Sequence, residues 1–254
     1  MRLRQAHLAA FAALALAMAG CATTPPPLTA ASYAAALADP ARPAADVARD
    51  PARLPGELLA FAGIKPGQLV GDFVMGGGYL TRILAAAVGP GGRVYAFQPS
   101  EFIGFRKEYA AEQKTVDDAY SNVDGITGPF AAPPFPAKLD VIITVQNFHD
   151  LYLKPFPAGN AARASKALFA ALKPGGTLVV VDHSAAAGSG TAMADKLHRI
   201  DREAVIDELT GAGFKLEASS DLYARPADPR TANVFDPVIR GQTDQFTLRF
   251  RKPK

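Results

Sequence analysis

The chain has a single cysteine, Cys21, in 254 residues. That excludes an intramolecular disulfide framework and a thiolate zinc site. It has no long basic run, so nothing points to nucleic acid. No internal repeat is visible. Its longest purely apolar stretch, Leu8 to Met18, is too short to span a bilayer as a helix. What is present at this end is a patterned leader. Arg2 and Arg4 precede the apolar run, and Ala19-Gly20-Cys21 follows it. Without Arg2 and Arg4 the formal charge falls from +3 to +1, so the basic pI says little about partners.

A lone cysteine after small residues at such a site resembles a bacterial lipobox, with Met18 where a leucine is usual. The resemblance implies a signal peptide over residues 1–20 and a membrane anchor through lipid on Cys21. Ala22, in place of an aspartate, implies an exported protein facing the periplasm from the outer membrane. An ordinary signal peptide with an incidental cysteine is the alternative. Residues 21–45 are rich in Ala, Pro and Thr and read as a tether, with a short helix around Ser32 to Ala38. Residues 46–254 are long enough for one domain with a full core.

Within that domain, helical spacing over Arg53 to Ala62 gives way to a strand at Gln68 to Val74. A helix at Tyr79 to Val88 stops at Gly89-Pro90-Gly91-Gly92. The pattern continues with a strand at Val94 to Phe97, a helix at Phe102 to Gln113 and a weak strand at Asn122 to Ile126. Leu139 to Val145 (LDVIITV) is continuously apolar, as a strand buried on both faces must be. A helix at Ala161 to Leu172, a strand at Thr177 to Val181 and a helix at Arg202 to Ala212 follow. Two late strands, Phe214 to Ser219 and Gln245 to Phe250, lack a long helix between them. Alternation of this kind predicts an α/β fold with a mostly parallel sheet, helices on both faces and an antiparallel last strand.

The first strand runs into Gly76-Gly77-Gly78 and then a helix, in VGDFVMGGGYLT. Glycines let the backbone turn and approach a ligand, and the helix start offers free N–H groups. A tight turn with no ligand would need the same residues. More of the chain bears on the choice. GIKPGQLVGDFVMGGGYLTRILAAAVGPGGRVYAF, LDVIITVQNFHDLY and LKPGGTLVVVDH, in that order, resemble the class I S-adenosylmethionine-dependent methyltransferases. GGGYLT, QNFHDLY, LHRID and DPRTANVFDPVIRGQTDQFTLRFRKP are similar to a group of exported bacterial methyltransferases within that class. The resemblance covers about residues 53–250 and implies a Rossmann-like seven-stranded sheet with S-adenosylmethionine as cofactor.

On that resemblance, Asp72 orients the methionine end of the cofactor, and Gly76, Gly77 and Gly78 line it. Gln98 takes the place of the acid that holds the ribose hydroxyls. Val74 falls where the first loop glycine belongs, and Pro129 near the position of an adenine-binding acid. Two lost polar anchors would weaken cofactor binding by a few kcal/mol. His149 in QNFHD is the candidate general base, with Asn147 positioning the acceptor and Asp150 orienting a neighbour. Capping of the next helix is the structural alternative for His149 and Asp150. His149, His183 and His198 with Asp150 and Asp182 also raise a metal site, but their spacings match no compact ligand motif, so no metal is expected. His198 and Arg199 read as braces for the following helix. The polar stretch Tyr223 to Thr243 reads as a loop held by internal ion pairs, or as a flap using Arg230 or Arg240.

These features predict methyl transfer to an unknown small or envelope-associated acceptor. A ligand-binding lipoprotein on the same scaffold, and a hydrolase using His149 and Asp150 on water, are the alternatives.

Overall fold

The computed structural model describes residues 27–254. The expected leader and Cys21 lie outside them. No helix among the described residues is long and apolar enough to cross a membrane. Short helices open the chain: α1 (Ala34–Leu37), α2 (Ala44–Val47) and α3 (Asp50–Arg53). Then come α4 (Pro55–Ala62), β1 (Leu69–Phe73), α5 (Tyr79–Val88), β2 (Arg93–Pro99), α6 (Ser100–Phe105) and α7 (Glu108–Ala119). β3 (Val123–Gly128), β4 (Leu139–Val145), α8 (Asn160–Ala171) and β5 (Leu172–His183) follow. The chain closes with α9 (Ala194–Leu197), α10 (Arg202–Gly211), β6 (Lys215–Ser220) and β7 (Gln245–Arg251).

The seven strands lie in the order β3-β2-β1-β4-β5-β7-β6. β1 to β5 pair in parallel, whereas β7 runs antiparallel to both neighbours. The expected antiparallel last strand is therefore present, but inserted between β5 and β6. Strand order reverses between β1 and β4, so the crevice at their carboxyl ends is the topological switch point. The central strands are buried on both faces. One face packs Val70, Ile143, Val179 and Val181 under α4, α5 and α7. The other packs Phe73, Ile142, Leu178 and Val180 under α8 and α10.

Two sequence expectations need correction. The helix expected over Phe102 to Gln113 is two helices, because Arg106 adopts an extended backbone (φ -141°, ψ 100°) between them. The second half of the expected tether is part of the fold. Tyr33 is buried, with its hydroxyl 2.8 Å from the Ile64 carbonyl oxygen. Arg42, also buried, forks onto Asp50 at 2.6 and 2.9 Å. Asp46 accepts a hydrogen bond from Arg82 at 2.9 Å, and Asp50 accepts one from the Tyr79 hydroxyl at 2.7 Å. An Ala- and Pro-rich composition hides these contacts, since a few charged and aromatic side chains carry them.

The loop from Tyr223 to Thr243 is held by ion pairs, but they tie it to residues outside it rather than internally as expected. Arg199 is fully buried and donates to Asp228 at 2.8 and 3.2 Å, and to the Ser184 and Ala232 carbonyls. Asp228 also accepts from the backbone N–H groups of Arg230 and Asp244. Arg230 pairs with Asp244, whereas Arg240 is exposed. Removing the Asp228 carboxylate would strand a buried guanidinium and two amides. Asp228→Ala should cost about 3–5 kcal/mol in urea unfolding. A loss under about 1 kcal/mol would show that water readily replaces the carboxylate.

Candidate functional site

Asp72 lies one residue before the end of β1, with a 3% exposed side chain. Its Oδ2 accepts from the Thr81 hydroxyl at 2.6 Å, which ties β1 to the first turn of α5. Burial pushes its carboxyl up to about 6, against the opposing effect of the Thr81 bond. Where the resemblance has Asp72 facing the methionine end, its contact in the structure is the helix start. Val74 follows with φ 71°, a left-handed conformation that is costly for a β-branched residue. A glycine at this position would meet that demand without strain. Gly76 (φ 54°) and Gly78 (φ 82°) complete the turn. A Cβ at Gly76 would meet nothing within 4 Å, so the backbone there is open to an approaching group.

Gln98, one residue before the end of β2, is fully buried. Its Oε1 accepts from the Gly76 N–H at 3.1 Å, while its Nε2 is a buried donor with no partner among the described residues. Beyond β3, the Phe130 N–H donates to Glu101 at 3.0 Å. An acid is thus present at this end of the sheet near Pro129, three residues after the position at which the resemblance places one. The sequence reading missed Glu101 because it opens α6 rather than ending β2.

The carboxyl ends of β4 and β5 bring a second set together. Asn147 is half-buried, and its Nδ2 donates to the Val145 carbonyl at 2.6 Å. Asp182, fully buried at the end of β5, accepts three hydrogen bonds. They come from the backbone N–H groups of His149 and His183 and from His149 Nδ1, each at 2.7 Å. His149 Nε2 lies 3.1 Å from Asp150 Oδ1 and 3.3 Å from His198 Nδ1. Burial lowers the basicity of His149, but the Asp182 and Asp150 charges outweigh it and raise the imidazole to about 10. Burial raises Asp150, yet contact with His149 and His198 leaves it below the ordinary carboxylate value. With both nitrogens engaged, His149 offers no free lone pair to an acceptor, which weighs against its expected role as general base.

His183 stands apart from this set. Its Nδ1 lies 2.8 Å from the Thr243 hydroxyl, and burial pulls it down to about 4. His198, expected to brace a helix, instead turns into the cluster from a left-handed backbone (φ 52°, ψ 46°). Nothing local in LHRID announces that turn. It follows α9 and directly precedes the buried Arg199.

A small pocket of ≈ 50 Å³ opens between Arg53, Tyr79, Leu80, Gln146, Tyr223 and Gln245. It sits at the switch point, beside the start of α5. Gln146 reaches it from a left-handed backbone (φ 63°) and donates to Gln245 at 3.1 Å. Arg53 has no acidic partner among the described residues and lies 5.0 Å from the Tyr79 ring centre. Burial and the nearby Arg49 charge both disfavour its cation, so an anionic group here would relieve it.

No protein-family model and no curated protein sequence matches the chain. Solved structures do match in fold. A SAM-dependent methyltransferase from Aquifex aeolicus superposes with TM-score 0.57 at 22% identity, over 81% of this chain and 95% of that one. A TehB-like SAM-dependent methyltransferase from Corynebacterium glutamicum gives 0.51 at 13% identity, over 77% and 85%. The cyclase SpnF gives 0.56 at 17%, over 80% and 81%. The fold is therefore the Rossmann-like methyltransferase fold, as the resemblance implied.

The buried carboxyl of Asp72 has a testable consequence. A carboxyl raised to about 6 holds its proton more tightly folded than unfolded, so this contribution is full below about pH 4 and lost as pH rises through 6. His183, depressed to about 4, contributes the opposite slope over nearly the same range. The two partly cancel in the wild type. The difference between wild type and Asp72→Asn isolates the first. Relative to the variant, the wild type should lose on the order of 2–3 kcal/mol from pH 4 to 6.5 in denaturant titrations. A constant difference would mean Asp72 titrates normally.

Proposed function

We propose that the protein is an S-adenosylmethionine-dependent methyltransferase acting on a small or envelope-associated acceptor. The observation that carries this reading is the glycine turn at the switch point, with open space over Gly76 and the unpartnered Gln98 donor beside it. Both features fit the cofactor. An amide donor can meet a ribose hydroxyl where the wider class uses an acid, and an open backbone permits close approach. Gly76, Gly77, Gly78 and Gln98 would hold it, with Asp72 fixing the helix start through Thr81. When bound, the cofactor supplies an electrophilic methyl group to an acceptor atom held in line with it.

The chain's own residues then bind and orient. Arg53 gives the adjacent pocket a positive charge suited to a carboxylate. Asn147, at the rim above β4, positions the acceptor. His149 and Asp150 hold the rim in place through Asp182. The same proposal takes the leader to be a lipoprotein signal, with Cys21 anchoring a periplasm-facing enzyme to the outer membrane. A charged cofactor made in the cytoplasm does not cross a bilayer unaided, so export requires capture before transit or a separate supply.

Calorimetric titration of the protein with S-adenosylmethionine and S-adenosylhomocysteine tests the reading, with micromolar affinity expected. Gly77→Asp should abolish that binding without unfolding the protein, because a Cβ there meets only the Glu112 carboxylate, at 3.6 Å. The added charge would face that acid. His149→Ala should retain cofactor binding and lower turnover by loosening the rim; a fully active variant would remove the rim from the reaction. Folded protein that gives no heat at millimolar cofactor would instead mean that the scaffold serves a different ligand.

A further inference from the structure

The residues gathered at the ends of β4 and β5 have a geometry that methyl transfer does not require. His149 Nε2, His198 Nδ1 and Asp150 Oδ1 face one another at 3.1, 3.3 and 3.6 Å. They come from two separate stretches of chain, and among the described residues they are the three that converge in this way. Deprotonated, each atom can present a lone pair to a common point. Protons on the two imidazoles can each serve Asp150, but no single proton serves all three atoms at once. A cation can serve all three. Three ligands of a tetrahedral zinc ion, bonded at about 2.0–2.1 Å, lie roughly 3.3 Å from each other. The observed separations straddle that value.

We propose that His149, Asp150 and His198 form a binding site for a first-row divalent transition metal of the zinc type. Two imidazoles and one carboxylate are a donor set such ions take. The surroundings are built as such a site requires. His149 Nδ1 is 2.7 Å from the fully buried Asp182, which fixes the ring and leaves Nε2 to face the cluster. His198 is held in its left-handed conformation by Arg199, whose guanidinium is locked onto Asp228. A non-glycine residue kept in that region marks a position where tertiary structure over-determines the backbone. His149 and Asp150 are buried, but the His198 side chain is 24% exposed. Solvent therefore reaches the cluster from one side, where the exposed Phe235 lies against the His198 ring at 4.8 Å. A fourth ligand, water or an oxygen of a substrate, would enter from that side.

This site stands apart from the cofactor reading, so its test uses no cofactor. The full, untagged chain, stripped with a chelator, is titrated with Zn(II) and with Co(II). One tight equivalent is expected, with a visible Co(II) absorption of four-coordinate intensity and a Zn(II)-dependent rise in melting temperature. His198→Gly suits the left-handed backbone and should lose the tight equivalent while remaining folded. Asp150→Asn should lose it as well. Asp182→Asn should weaken it by about 10–100-fold through the orientation of His149. Gly77→Asp should bind metal normally, which separates this site from failure at the cofactor loop. Folded, stripped wild type that takes up neither ion would overturn the proposal, as would unchanged binding in His198→Gly and Asp150→Asn. The cluster would then be a network held by protons alone.

Discussion

The rim of this protein depends on one buried carboxylate. Asp182 sits at the end of β5 with no solvent exposure, and a buried charge is tolerated only when it is fully hydrogen-bonded. Its three donors come from the loop after β4 and from its own strand end. Meeting that need pulls the QNFHD segment down onto β5 and sets the His149 ring in one orientation. The position of Asp150, one residue on, follows from the same constraint. The third member, His198, arrives from the far side of the fold, where a second buried charge pair, Arg199 with Asp228, fixes it.

The glycine turn is governed differently. Its shape comes from backbone conformation at Val74, Gly76 and Gly78, and it is closed from outside by the amino-terminal segment. Asp46 meets Arg82, and Asp50 meets both Arg42 and Tyr79. These contacts bring Arg53 to the switch point and create the small pocket there. The segment before the first long helix is therefore part of the candidate binding surface.

The matched structures place these features on a scaffold that hosts more than one chemistry, since a cyclase superposes on the chain about as well as the methyltransferases do. The fold narrows where a ligand binds, at the switch point between β1 and β4. It does not choose the reaction. The side chains that line this end of the sheet, Gln98, Arg53, Asn147 and the histidine pair among them, are the candidates for that choice.

The order of strands and helices was legible from the sequence alone. Continuous apolar runs such as Leu139 to Val145 must be buried on both faces, and glycine punctuation such as Gly89 to Gly92 ends a helix by local rules. The glycine turn, and the substitution of its first glycine by Val74, were legible for the same reason: backbone conformation is a local property. The packed role of residues 30–45 was not, because a few contacts, from Tyr33 to Ile64 and from Arg42 to Asp50, outweigh an Ala- and Pro-rich composition. Nor was the break at Arg106, or the use of Glu101 beyond the expected strand end. Only the tertiary structure brought His198 to His149 and Asp150, which lie 49 and 48 positions before it in the chain. Spacing in sequence carries no record of such a meeting, because it is decided by two buried carboxylates, Asp182 and Asp228, each finding its donors in a different part of the fold.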